Sequence, residues 1–570
     1  MQGLGDRRMR IAEYVRYVLE IGAGLPIECP KWPADVFAVC CSILDRSGAL
    51  CNLGVKFLIE GEGQRTGRIE GFVNQAKLWR LSAGADKDAI DHARSLWNHV
   101  VDQGGELQIA DLGSIDGEDS DLKKTVCEAL VTLCSLADEV FAGVGISPAE
   151  ENHDEVDFWL RCQSQLISDP EVNFPSRLGS NLCSQIRKDL LRVLPKAQPP
   201  LFGLSTRSLT NYICLAPPVD IPVNWYQGFR MSGDNKCNML LVPWPFEVTP
   251  SQIVSINEID TGDRVGWFGY KPDSDLDEEL IKVIEELVAN SEREVGQVDI
   301  VILPETSVTP QQYKKVKEIL ARRGISLIAG VCEQCIKDAE NVEARLGKNY
   351  AAMYFAPSEN AQVDSEVAGY DIFQHKHHRW KIDERQIETY GIATQLNPQG
   401  IWWEGISLTE RALNFFALRD WLCSCVLICE DLARIDPAGQ FVRAVAPDLV
   451  IALLFDGPQI QTRWPAYHAT VLADDPGSSV LTLSCLGMTR LSRPRNMKDS
   501  DIHESSRVVG MWRDPRKGHV QIKIPTDKAA ALLTITRFES LGATADGRSN
   551  DQLMGGPVFS SLFYIGLKPR

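Results

Sequence analysis

"VDIVILPE", residues 298–305, is a short run dominated by Val and Ile that closes on a proline and a glutamate. Its composition and length read as a β-strand, with Glu305 at its end. Downstream, a helix over 311–323 leads into a second apolar run, "ISLIAGV" (325–331), and "NYAAMYFAP" (349–357) reads as the next strand. Upstream, Leu276, Leu280, Ile284 and Leu287 fall on one helical face, preceded by "VGWFGY" (265–270) and "NMLLVPWPFEV" (238–248). Strands alternating with helices in this way predict a layered α/β domain beginning near residue 236.

The first 195 residues have a different texture and read as a helical domain of unassigned role. Ile11, Val15, Val18 and Leu19 share one helical face, as do Leu122, Val126, Leu130, Leu133 and Val140. A third stripe, Ile186, Leu190, Val193 and Leu194, runs into "PKAQPPLFG" (195–203), and a second proline cluster, "APPVDIPVNW" (216–225), follows. Residues 196–235 are therefore expected to be a linker leading into the domain at 236–570. No internal repeat or low-complexity segment is visible.

Composition narrows the function classes. A chain of 570 residues is too long for one compact core. A formal charge of −18 argues against a general nucleic-acid surface. No run approaches the ~20 apolar residues of a membrane span, and no signal peptide is read, so the expected location is the cytoplasm. Sixteen cysteines are then expected as reduced, buried thiols.

Three positions could supply chemistry together. Glu305 ends its strand, Lys376 lies in "YDIFQHKHHRWKIDE" (370–384), and Cys429 ends the apolar run "LCSCVLIC" (422–429). A carboxylate, an ammonium and a thiol suffice for nucleophilic catalysis. Glu305 takes the thiol proton, Lys376 stabilises the thiolate and the oxyanion, and the backbone N–H of Glu430 is a second oxyanion donor. Cys429 is followed directly by Glu430 and Asp431, which disfavour a thiolate, so its activation has to come from elsewhere. The Glu430 carboxylate is expected to turn toward Arg434, and Asp431 to steady the turn. Cys423 and Cys425 read as core residues. His375, His377 and His378 point in different directions on one extended segment and do not make a metal site, and "CEQC" (332–335) lacks a second pair.

These motifs, "LPET", "HKHHRW" and "ICEDLAR", resemble those of the nitrilase, or carbon–nitrogen hydrolase, superfamily. "ICEDL" is most similar to the glutamine-amidohydrolase domain of NAD synthetases. The resemblance implies an α-β-β-α sandwich, a Glu305–Lys376–Cys429 triad, no cofactor, and frequent pairing with a second subunit, hence a homo-oligomer. Several members carry a second glutamate eight residues after the lysine. Counting from Lys376 reaches Glu384, whereas counting from Lys381 reaches Thr389, so Lys376 and Glu384 are the expected pair. Trp402 and Trp403 either line the substrate mouth or fill the core. The chain departs from the pattern at Glu430, where many members have an aromatic residue, and at "TVLADDPGSS" (470–479).

The function expected from this reading is cysteine-dependent hydrolysis of a small amide or carbamoyl compound, ahead of a nitrile, through a thioester. The absence of S-G-G-x-D-S and G-x-x-x-x-G-K patterns argues against a complete NAD synthetase. A second reading comes from a dimmer resemblance to nitrilase-like modules of bacterial reverse-transcriptase antiphage systems, in which the fold acts as an assembly or sensing module.

Overall fold

The computed structural model describes residues 9–51, 62–82, 90–114, 119–142, 144, 177–178, 181–200, 203–219, 221–226, 235–256, 265–273, 276–334, 346–356, 370–419, 421–494, 497–516, 518–541, 544–548 and 553–567. Two large sheets dominate. The first has seven strands in the spatial order Tyr370–His375, Lys348–Phe355, Ser326–Glu333, Ile300–Val308, Lys236–Leu241, Ala530–Leu541 and Leu553–Ile565. The second has eight, in the order Arg177–Leu178, Val223–Tyr226, Leu413–Arg419, Leu422–Ile428, Leu449–Leu454, Ser479–Ser484, Val508–Asp514 and Gly518–Lys523.

Alternation along each strand sorts side chains between two cores. On the first sheet, Met239, Leu241, Ile300, Ile302 and Ile328 turn toward the second sheet's core. Leu240, Val301, Leu303 and Leu327 turn the other way, under helices Asp277–Val295 and Pro310–Ala321. The sheets meet face to face, with Phe355 and Phe416 ring centroids 5.1 Å apart. Helices Gln440–Val445 and Trp464–Asp474 contribute Phe441, Val442, Ala469 and Leu472 to the core of the second sheet. The result is an α-β-β-α sandwich, as expected. Strands at 300–308, 326–333 and 348–355 and helices at 277–295 and 310–321 fall where the sequence places them.

Upstream, helices Ile11–Val18 and Ser120–Val140 match two of the three stripes, joined by Pro33–Ser47, Glu62–Ser82 and Asp91–Asn98. The third stripe is not a helix. Arg192–Pro195 is a strand paired antiparallel with Ile213–Ala216, and all four of its residues are buried. Local competition explains the difference. The Asp35 carboxylate accepts the N–H groups of Ser184, Gln185 and Ile186, while Asn181 Oδ1 accepts that of Val193, so the backbone partners of a helix are taken by other groups. A short apolar run reads the same for a buried strand as for a helix.

The described residues of the stretch 196–235 are likewise tied into the fold. Val223–Tyr226 pairs with Leu413–Arg419 inside the second sheet. Lys196 is buried and donates to the carbonyl and hydroxyl oxygens of Thr210 at 2.7 and 3.1 Å. The helical region and the sandwich share one continuous apolar core, so the boundary at 236 marks a change of sequence texture and not a break in packing. Among the described residues no helix is long and apolar enough to cross a membrane.

Candidate active site

Glu305 occupies a bulge near the end of its strand, where the pairing with Ser326–Glu333 shifts register between Leu303 and Val308. The following residue, Thr306, has φ +51°, a left-handed conformation that side chains adopt at a cost. Gly330 on the neighbouring strand makes room for the bulge. A Cβ there would lie 2.4 Å from Glu305 Cα, so only glycine admits this approach.

Lys376 follows strand Tyr370–His375, and its backbone N–H donates to Asn349 O at 2.9 Å. Cys429 follows strand Leu422–Ile428 with φ +47° and opens a short 3₁₀ turn. Such a strained strand-to-turn corner thrusts a side chain out of the sheet, as nucleophile elbows do. The two segments come from different sheets and are tied together. Asp431 accepts the His377 N–H at 3.0 Å and sits 2.9 Å from His378 Nδ1. Gln374 joins the same seam, donating to Val426 O and accepting from Asn414 N at 2.9 Å.

Glu305, Lys376, Asn349 and Glu404 close a buried ring. Lys376 Nζ donates to Glu305 Oε1 at 2.8 Å and to Glu404 Oε2 at 2.7 Å. Asn349 Nδ2 donates to Glu305 Oε1 and Glu404 Oε1, both at 2.8 Å. Glu404 Oε2 also accepts the Trp380 N–H at 2.9 Å. Two donors thus hold two carboxylates apart, and Glu305 and Lys376 are each only 1% exposed.

The charges are strongly coupled. Burial raises Glu305 above the ordinary glutamate value, Lys376 opposes this, and Glu404 adds to it. Burial by itself would discharge Lys376, but the Glu305 and Glu404 carboxylates win and hold it protonated well above the usual lysine range. Burial, then Glu305, pushes the Cys429 thiol well above its ordinary value, while Lys376 pulls it back. Cys429 is therefore held as a neutral thiol in the field of a carboxylate and an ammonium, a setting in which thiol chemistry would call for a base.

Of the positions singled out by sequence, Glu305 and Lys376 pair directly at 2.8 Å, and Cys429 lies near enough to feel both charges. Glu384 is not with them. It is exposed on the first turn of helix Glu384–Tyr390, whose N-cap is Asp383. The second carboxylate on Lys376 is Glu404, contributed by strand Ile401–Glu404 of a small four-stranded sheet. The count of eight residues fails because the chain after Lys376 turns into that helix before returning to the site. Alternation along "IWWE" does carry a signal for Glu404, since it buries Trp402 and Glu404 together and leaves Ile401 and Trp403 half-buried.

The tryptophans do not line the cavity beside Glu305. Trp402 packs in the apolar cluster behind Phe268 and Trp380 and donates its indole N–H to Asn397 O, and Trp403 sits under Lys381. Trp380 borders the cavity instead. Glu430 pairs with Arg434 at 2.8 Å, as expected, whereas the Asp431 carboxylate, expected to steady its own turn, is spent on His377 and His378 of the other segment. The three histidines go to three different partners, Glu410, Ala412 O and Asp431. Cys423 and Cys425 are buried in the core, whereas Cys335 lies outside the described residues. Asn349 and Glu404 are the two members of the ring that the motif reading missed.

No protein-family model matches the chain, and no curated protein sequence does. Solved structures similar to part of it include Saccharomyces cerevisiae Nit3, described as a member of branch 10 of the nitrilase superfamily. It shows 13% identity over 50% of this chain and 86% of that one, at a TM-score of 0.28. An amidase from Nesterenkonia sp. AN1, solved as a double mutant in complex with acrylamide, shows 10% identity over 53% and 91%, at a TM-score of 0.30. The C. elegans NitFhit protein shows 11% identity over 54% and 62%, at a TM-score of 0.31.

Proposed function

We propose that the chain is a cysteine-dependent carbon–nitrogen hydrolase acting on an amide or carbamoyl group through a thioester. The observation that carries this reading is the buried Glu305–Lys376–Glu404–Asn349 ring set beside a thiol on a left-handed corner. Cys429 Sγ attacks the carbonyl carbon as its proton passes to Glu305. Lys376 Nζ and the Glu430 N–H stabilise the oxyanion, and collapse breaks the C–N bond as Glu305 returns the proton to nitrogen. Water, deprotonated by Glu305, then resolves the thioester.

Burial supports the same division of labour. A free thiolate is disfavoured in this setting, so proton removal is concerted with attack, and the Glu305 carboxylate, made more basic by burial, is suited to take the proton. Glu404 is the positioning partner that keeps the ammonium in place.

The test is ammonia release from a panel of amides, carbamoyl compounds and nitriles, comparing wild type with Cys429→Ala, together with alkylation by iodoacetamide. The expected outcome is turnover that falls by ~10³-fold or more in the variant and alkylation concentrated on Cys429. Silence across the panel with no preference for Cys429 defeats the proposal.

A further inference from the structure

A second and much larger cleft opens between helix Glu384–Tyr390, the loop 458–464 and the chain that follows Ser492. Its volume is about 680 Å³, within the ~300–1,000 Å³ typical of pockets that hold small organic molecules. Glu305, Lys376 and Cys429 do not border it. Tyr390, Ile460, Trp464 and Ile502 give it apolar walls. Tyr390 also packs edge-on against Trp380, with ring centroids 5.9 Å apart, and Trp380 borders the small cavity beside Glu305.

Arg463 borders the cleft and is fixed in place. Its Nη2 donates to Asp456 Oδ1 at 2.6 Å, and the Tyr390 hydroxyl donates to the same oxygen at 2.7 Å. The Gly457 N–H donates in turn to the Tyr390 oxygen at 3.3 Å. A Cβ at Gly457 would collide with Arg463 Nη1 and Ser492 Oγ, so glycine here leaves the guanidinium its space. The Arg463 side chain still keeps 24% of its surface open, and among the described residues Nη1 has no acceptor. Arg385 borders the same cleft from the helix, is exposed, and makes no ion pair with a described residue. Two acids of that helix segment also border the cleft. Asp383 spends its carboxylate on the helix start, accepting the Gln386 N–H at 3.0 Å, and Glu388 is half-buried.

We propose that this cleft is a binding site for a small organic monocarboxylate with a ring-sized apolar body, separate from the reacting groups. A guanidinium with open N–H groups matches the two oxygens of a carboxylate. The walls of Tyr390, Ile460, Trp464 and Ile502 match a hydrocarbon ring. Asp383 and Glu388 set the charge. A doubly charged anion such as phosphate meets their repulsion, whereas a single negative charge is balanced by Arg385. A neutral ligand of the same shape leaves both arginines without a new partner. The site does not depend on the hydrolase reading, because none of its groups takes part in that reaction.

The test is isothermal titration calorimetry of the full chain with benzoate, phenylacetate and cyclohexanecarboxylate. Each is set beside its neutral alcohol (benzyl alcohol, 2-phenylethanol and cyclohexylmethanol), and inorganic phosphate is titrated as well. At least one carboxylate is expected to bind with Kd below ~1 mM, and ~10-fold or more tighter than its alcohol and than phosphate. Arg385→Ala is expected to weaken that binding by ~10-fold. Ile460→Trp, which fills the cleft, is expected to weaken it by ~10-fold or more, while Cys429→Ala leaves it unchanged. The proposal is overturned if no carboxylate binds below ~1 mM, or if an alcohol or phosphate binds as tightly as the carboxylate. Binding that survives Arg385→Ala, or that is lost in Cys429→Ala, also overturns it. Ammonia release is not a readout here, so failure of this proposal leaves the hydrolase reading standing. The wild-type series decides the ligand class whether or not a variant folds.

Discussion

Two buried charge clusters in this molecule use the same chemistry to opposite ends. Arg548, near the C-terminal end of the described chain, reaches into the helical region. It pairs with Asp138 at 2.8 Å, Glu139 at 3.0 Å and Asp546, and donates to Ser135 O and Leu209 O. Asp138 also accepts the backbone N–H groups of Asn211, Tyr212 and Ile213, and Asp546 accepts the Ser135 hydroxyl. No side-chain atom of Arg548, Asp138 or Asp546 is an orphan. The ring around Lys376 is equally buried but leaves Glu305 Oε2 and Asn349 Oδ1 unpaired. A saturated network stabilises one geometry, whereas one with open valences keeps capacity for a reacting group. Arg548 and its partners act as a clamp between the two parts of the chain.

Mutations can separate the two roles. Glu305→Gln is expected to have the largest effect, lowering kcat/KM by ~10²–10⁴-fold through loss of the general base. Its effect on stability should run the other way. The folded-state pKa of Glu305 lies above the ordinary value of 4.5. Its contribution to stability is therefore fully present below that value and is lost as pH rises through the folded value. Denaturant melts should show Glu305→Gln gaining on wild type as pH rises across that window. A parallel pair of stability curves would contradict this.

Arg548→Met comes next. It strands the carboxylates of Asp138 and Asp546 and should cost about 3–5 kcal/mol in urea unfolding. Alkylation of Cys429 in the folded fraction should keep its rate. A change in that rate would mean that the clamp also shapes the site, and the contrast between the clusters would fail.

Glu404→Gln should act more gently. Glu404 is one cause of the raised Glu305 pKa and helps hold Lys376 protonated. Removing its charge should move both the acid and the basic limb of the kcat/KM profile to lower pH. An unmoved profile would take Glu404 out of the ring's electrostatics. Glu384→Ala should do least, leaving thermal midpoint and pH profile unchanged, and any drop in turnover would restore it as the second glutamate.

Much of the molecule is legible in the chain, and for physical reasons. Strands such as Ile300–Val308 announce themselves because burial demands unbroken apolar runs, and the helices over them show a 3.6-residue period. Glu305 and Cys429 can be named because each closes an apolar run, and Lys376 because it follows a strand beside them, where side chains from different strands can meet. The stripe Ile186, Leu190, Val193 and Leu194 misleads because its helical spacing spans a turn and the strand Arg192–Pro195, whose partner Ile213–Ala216 lies about twenty positions on and leaves no local mark.

The sequence by itself determined the layered architecture and singled out Glu305, Lys376 and Cys429 as candidates, since both follow from local patterns of apolar and polar residues. Only the tertiary structure decided which second carboxylate meets Lys376. Glu384 and Glu404 are chemically identical, and the choice depends on a helix carrying one away and a small sheet bringing the other back. It also decided that Asn349 binds the two carboxylates together and that the described residues before 236 share their core with the sandwich. Those outcomes depend on contacts between residues tens to hundreds of positions apart, for which local sequence carries no period.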